Sequence, residues 1–228
     1  MVNRKKIGYV VLYDAYASPF LHLMPFETIT YDNFSIKKQV LPSLIVFAGG
    51  ADLDSSLYGD KTVYVDDDSF YAGMWYDTKR DSLEVAVFKW AQENKIPMFG
   101  TCRGLQLLTS LTGGKLIQDM RHPYYHDVYT ENTCFQVNSM HHQMCVPTED
   151  QKVLAWARGI SPSYRAAEKT LGLYKSKFSL DTFNLEPEAI AFPAIRSLGV
   201  QWHPEALPLT CQANVQLMKW VKEHMLCG

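Results

Sequence analysis

The chain is 228 residues long, with 24 acidic and 22 basic side chains and a formal charge of −2. Hydrophobic residues make up 47% and charged residues 20%, which excludes collagen-like, disordered and disulfide-scaffold chains. The near-neutral balance also argues against a basic nucleic-acid or membrane-surface binder. A chain this long can bury roughly 70% of its unfolded surface, so one domain over residues 1–228 is expected.

The N-terminal Asn3-Arg4-Lys5-Lys6 precedes an apolar run, Ile7–Tyr13, which Asp14 stops after seven residues. That run reads as a buried first strand rather than a signal peptide. No apolar stretch approaches the roughly 18 residues of a spanning helix. Five cysteines (Cys102, Cys134, Cys145, Cys211 and Cys227) form an odd set without a CxxC pair, as suits free thiols in a reducing compartment. A cytoplasmic location is the expectation.

Leu44–Ala48 is a second buried strand, stopped by Gly49-Gly50. Asp77–Asn94 has helical periodicity: Leu83, Ala86, Val87, Trp90 and Ala91 share a face, while Arg80, Glu84, Lys89 and Glu93 point elsewhere. Ile96–Gly100 follows as a strand, then Leu105–Leu111 as a helix ended by Gly113-Gly114. Lys115–Gln118, Phe135–Asn138, Val153–Ala157, Ala189–Phe192 and Leu198–Trp202 are further strands. A closing helix runs through Leu217, Trp220, Val221 and Met225. This alternation predicts an α/β fold with a mainly parallel sheet covered on both faces. Residues 161–187 lack a pattern and read as an insertion, long loop or lid.

Ile96 to Gln106 carries the strongest chemical signal. A strand ends at Gly100 and a helix opens just past Cys102, with Gly100 and Gly104 on either side. A nucleophile elbow needs this arrangement, because only small neighbours let a substrate approach the side chain on a sharp turn. The helix N-terminus favours a thiolate, and the Arg103 N–H can donate to an oxyanion beside the sulfur. Downstream, Trp202-His203-Pro204-Glu205 ends another apolar run. Residues i and i+2 of an extended chain share a face, so Glu205 can hold one imidazole nitrogen of His203 and leave the other for a nucleophile. An alternative α/β-hydrolase arrangement would pair His203 with Asp150 or Asp181 and leave Glu205 idle.

These stretches resemble the class I glutamine amidotransferase superfamily, nearest its gamma-glutamyl hydrolase branch, which includes the gamma-glutamyl-gamma-aminobutyrate hydrolases. Matching runs are Gly49-Gly50-Ala51-Asp52 with Tyr58-Gly59, Arg80-Asp81 with Glu84, and Cys102 to Gln106 on to Gly113-Gly114 and Gln118-Asp119. Val137 to Gln143 and Gly199 to Glu205 also match. The resemblance implies a flavodoxin-like three-layer sandwich, with Cys102 as nucleophile, His203 as base and acid, and Glu205 as its orienter. It further implies the N–H groups of Gly50 and Arg103 as oxyanion hole. Gln106 and Ser139 would hold the amino-acid end of a glutamine or gamma-glutamyl group, with His141 and His142 nearby. No cofactor or metal is implied. The substrate would be a small gamma-glutamyl compound or glutamine, and a glutaminase reading would add a separate synthetase partner. A binding protein that has lost its chemistry is the third reading.

Two features depart from the branch. Only 36 positions separate Tyr13 from Gly49, which is short, and residues 161–187 match no family feature. Both regions would shape the rim of the pocket, leaving substrate choice open. His122 to His126 and His141-His142 lack metal-ligand spacing and read as surface or pocket histidines. Asp66-Asp67-Asp68 reads as a solvated loop.

Overall fold

A computed structural model describes residues 6–58, 77–117, 124–158 and 185–226. Asp66–Asp68, His122, Asp181, Cys227 and most of the 161–187 segment lie outside them.

Among the described residues, nine strands form one sheet in the order β2-β1-β3-β4-β11-β10-β9-β6-β7. Its first half is β2 (Phe26–Ile29), β1 (Gly8–Val11), β3 (Leu44–Phe47), β4 (Met98–Thr101) and β11 (Ser197–Val200), paired in parallel throughout. The second half is β10 (Leu185–Phe192), β9 (Lys152–Arg158), β6 (Tyr125–Tyr129) and β7 (Cys134–Asn138), antiparallel. A separate two-stranded ribbon joins β5 (Lys115–Ile117) to β8 (Met144–Val146).

Alternation along the central strands separates two cores. On one face Val10, Val46, Phe99 and Val200 pack with Phe20 and with Leu217, Trp220 and Val221 of the closing helix. On the other, Tyr9, Val11, Ile45 and Phe47 pack with Leu83 and Val87, and with Leu105 and Leu108. The runs are continuously apolar because both faces of the sheet are covered. The expected α/β sandwich, with its parallel centre, is therefore the fold.

Helix α1 is a single turn, Phe34–Lys37. With a 3-10 segment at Asp14–Phe20 and β2, it fills the short stretch before Gly49. Helix α2 is Thr78–Glu93, started by the Asp77 carboxylate accepting the Arg80 N–H at 2.9 Å. Helix α3 is Arg103–Leu111, two residues longer at its start than its apolar pattern indicates, and it stops at Gly113, whose φ is +94°. Helix α4, Gln212–Val221, continues into a π-helical turn at Lys222–Leu226.

Strand β10 begins at Leu185, inside the segment read as a loop, and Glu186, Pro187 and Glu188 are all buried there. Its pairing with β9 shifts around Glu188; a bulge tolerates a proline and re-aims the side chains beside it. Arg80 and Glu84 do lie off the apolar face of α2, but they are buried: 2% and 0% exposed. Among the described residues, no helix is long and apolar enough to cross a membrane.

Candidate active site

Cys102 occupies the turn between β4 and α3 with φ +50° and ψ −108°, a region that costs a non-glycine residue of order 1–3 kcal/mol. The turn is held by the Cys102 N–H donating to the Val200 carbonyl at 2.7 Å, and by the Gln106 N–H donating to the Cys102 carbonyl at 3.2 Å. It is compact because glycines meet inside it. A Cβ on Gly100 would stand 2.3 Å from the Gly104 carbonyl carbon, and one on Gly104 would stand 2.3 Å from the Phe47 oxygen.

His203 follows β11 at the neighbouring strand end. Its Nδ1 lies 2.6 Å from Glu205 Oε1, and its side chain is hydrogen-bonded to Cys102. Glu205 is therefore engaged, and the hydrolase alternative through Asp150 or Asp181 loses its motive. One amide locks the histidine backbone: Asn138 Oδ1 accepts the His203 N–H at 2.8 Å, and Asn138 Nδ2 donates to the His203 carbonyl at 3.0 Å. Asn214 Nδ2 donates to the Pro204 carbonyl at 3.0 Å. Burial works against a charged His203 ring, but hydrogen bonds to Cys102 and Glu205, with the charges of both, raise it to about 10. The site thus favours the protonated form of the ring. Complete burial pushes the Cys145 thiol up to about 12 and leaves it an inert core group.

The Gly49-Gly50 turn closes the other side. A Cβ on Gly49 would stand 2.8 Å from His203 Cε1 and 2.9 Å from the Tyr16 hydroxyl, so only glycine lets the imidazole come this close. Tyr16 covers the ring at 6.0 Å between centroids. Burial, then the charges of Glu205 and Cys102, push its hydroxyl up to about 12, which keeps it a neutral donor.

A cavity of about 310 Å3 opens beside the sulfur, bounded by Gly50, Asp52, Gln106, Met140, His141 and His142. The Gln143 carbonyl is the hub of its wall, accepting from Gln106 Nε2 at 3.2 Å and from His141 Nδ1 at 3.0 Å. His141 Nε2 faces Glu188 Oε1 at 3.7 Å, and His126 Nε2 reaches the same oxygen at 3.2 Å. Burial opposes ionisation of Glu188, but hydrogen bonds to His126 and His141 hold its carboxyl down at about 2. At the rim, His142 Nε2 meets Asp52 Oδ1 at 2.9 Å. Ser139 is buried outside the cavity lining, its N–H donated to the Tyr124 carbonyl at 2.6 Å. The Arg103 side chain turns away from the cavity into a buried cluster with Asp81 and Glu84. Only its backbone can face the sulfur.

Cys102, His203, Glu205, Gly50, Gln106, His141 and His142 are thus brought together. Tyr16, Asn138, Gln143 and Glu188, which the sequence does not single out, join the site, and so does His126, one of the histidines read as surface or pocket groups. Asn138 and Gln143 flank the Ser-Met-His-His run, so the motif's own edges could have pointed to them. Tyr16 and Glu188 come from distant segments, and no local signal marks them.

A cysteine elbow at the end of a parallel sheet, beside a histidine–carboxylate pair on the next strand end, defines the glutamine amidotransferase-like class. Within it, the chain belongs to the Peptidase C26 family, whose model matches residues 32–160. Among curated relatives, a glutamine amidotransferase-like protein of Lactococcus lactis is 31% identical over 164 residues, covering 71% of this chain and 65% of the relative. A gamma-glutamyl-gamma-aminobutyrate hydrolase of Escherichia coli K12 is 26% identical over 202 residues, covering 75% and 68%. The chain spans just under two thirds of the length of the first relatives it matches. Among solved structures, a glutamine amidotransferase from Thermotoga maritima superimposes with a TM-score of 0.54 at 11% identity, covering 97% of this chain and 82% of that one.

Proposed function

We propose that this protein is a cysteine-nucleophile hydrolase that cleaves the gamma-glutamyl amide bond of a gamma-glutamyl amine or peptide. One observation carries the reading: a strained Cys102 beside the His203 ring that Glu205 orients at 2.6 Å, next to a cavity sized for a small molecule. The thiolate attacks the amide carbon, and the carbonyl electron pair moves onto oxygen, where the Gly50 and Arg103 N–H groups receive it. His203 then gives its proton to the departing amine as the tetrahedral intermediate collapses to a glutamyl thioester. Water, deprotonated by His203, attacks the thioester and releases glutamate. Gln106, His141 and His142 hold the glutamyl group, with Ser139 setting the start of their loop.

A second reading is an ammonia-releasing glutaminase serving a separate synthetase, favoured by the amidotransferase names of several relatives. The test is glutamate release from glutamine and a panel of gamma-glutamyl amines and peptides, read by mass spectrometry with Cys102→Ala alongside. Turnover of one gamma-glutamyl amine well above glutamine, abolished in the variant, is expected. Turnover of glutamine alone, rising with an added synthetase, would favour the second reading. No turnover of any compound would sink both.

A further inference from the structure

Arg80 and Glu84 lie outside the cavity, yet they join its two sides. Arg80 Nη2 donates to the carbonyls of Ala48 and Gly49, each at 2.9 Å, and Nε donates to Glu84 Oε1 at 2.9 Å. Its Nη1 lies 2.5 Å from where a Cβ on Gly50 would stand, so the guanidinium is packed directly under that residue. Gly50 has φ +132°, a conformation that glycine alone adopts readily.

The Gly49–Gly50 peptide is trans and planar. With its carbonyl held by Arg80, its N–H must point the opposite way, and Gly50 borders the cavity. The second oxygen of Glu84 accepts from the Arg103 guanidinium, and the Arg103 backbone N–H belongs to the first turn of α3, where N–H groups lack partners within the helix. Asp81 accepts from Arg103 Nη2 and also accepts the Asp54 N–H at 3.0 Å. Two arginines against two carboxylates keep this buried cluster neutral.

We infer that Arg80, backed by Glu84, is a positioning residue for the oxyanion hole: it turns the Gly50 N–H into the cavity and fixes that loop to the helix carrying Cys102 and Arg103. The inference rests on Cys102 acting as an acyl-transfer nucleophile, but not on the identity of the acyl group.

Two reagents separate this role from a general effect on the fold. With p-nitrophenyl acetate, Cys102 Sγ attacks the ester carbon, the carbonyl pair moves onto oxygen, and collapse expels p-nitrophenolate to leave an S-acetyl thioester. Iodoacetamide loses iodide at a saturated carbon and forms no oxyanion. In Arg80→Met, acylation is expected to fall by about 10- to 100-fold while alkylation changes by less than about threefold. Arg80→Lys keeps the buried charge but lacks the fixed fork, so the same split, smaller in size, is expected in a fold closer to wild type. Cys102→Ala sets the background for both reagents. Acylation and alkylation falling together in Arg80→Lys, or acylation unchanged in either folded variant, would overturn the inference. Normal reagent chemistry without hydrolysis of any gamma-glutamyl amide would instead refute the proposed function and leave this role standing.

Discussion

Replacing Gly104 with alanine sets helix propensity against packing. Alanine is favoured over glycine inside a helix by about 1 kcal/mol, so α3 taken alone would gain. In the fold, the new Cβ would stand 2.3 Å from the Phe47 oxygen and 2.9 Å from its carbonyl carbon, where ordinary contact begins at 3.4 Å. A shift of about 1 Å is therefore required. Phe47 cannot supply it, because β3 is paired to β1 on one side and β4 on the other. Helix α3 must move instead, carrying Cys102 and Arg103 away from Gly50. Overpacking of this kind costs about 1–3 kcal/mol, and a 1 Å misplacement of reacting groups costs on the order of a hundredfold in rate. Urea unfolding should show a net loss of no more than about 2 kcal/mol, and steady-state assays should show kcat reduced by roughly a hundredfold. A Gly104→Ala protein as stable and as active as wild type would refute the packing account of the elbow.

Asn138→Ala leaves the buried N–H and carbonyl of His203 without their partner. It should cost about 2–4 kcal/mol by urea denaturation and lower kcat more than KM. His203 is raised to about 10 from an ordinary 6.5, so its contribution to stability is complete below about pH 6.5 and is lost as pH rises through 10. Glu205→Gln should move the alkaline fall in stability, and the alkaline limb of kcat/KM, to lower pH. Glu188 has the opposite sign: held down at about 2 from 4.5, it stabilises above pH 4.5 and its contribution disappears as pH falls toward 2. The Glu188→Gln variant should show a flatter acid transition over that window. Glu84→Gln leaves buried Arg80 without its carboxylate partner and Arg103 with Asp81 alone, and should cost about 3–5 kcal/mol by urea unfolding.

The parallel half of the sheet was readable because its strands are buried on both faces. Val10 and Val11, or Val46 and Phe47, belong to opposite cores and yet are both apolar. The antiparallel half was harder. In β6, His126 and Val128 point inward while Tyr125 and Asp127 are exposed, an alternation hidden inside a histidine-rich run. The start of β10 was hidden by Glu186-Pro187-Glu188, whose composition reads as a loop until the bulge and the two histidines facing Glu188 are seen. The same limit explains Arg80 and Glu84. Charges on a helix ordinarily mark its wet side, and only partners from the turn after β3 and from α3, distant in sequence, let these two be buried. Cys102, His203 and Glu205 were legible because a glycine-flanked turn and an i, i+2 pair are local patterns. Tyr16 was not, because its contact with His203 joins segments almost the whole chain apart.

The most direct test of the account traps the covalent intermediate. The protein is mixed with a gamma-glutamyl p-nitroanilide, quenched in acid during turnover, digested and examined by mass spectrometry. One glutamyl acyl group is expected on the peptide containing Cys102, and none in Cys102→Ala. Nitroaniline release at an unchanged rate in Cys102→Ala, or a glutamyl group carried by any other residue, would contradict it.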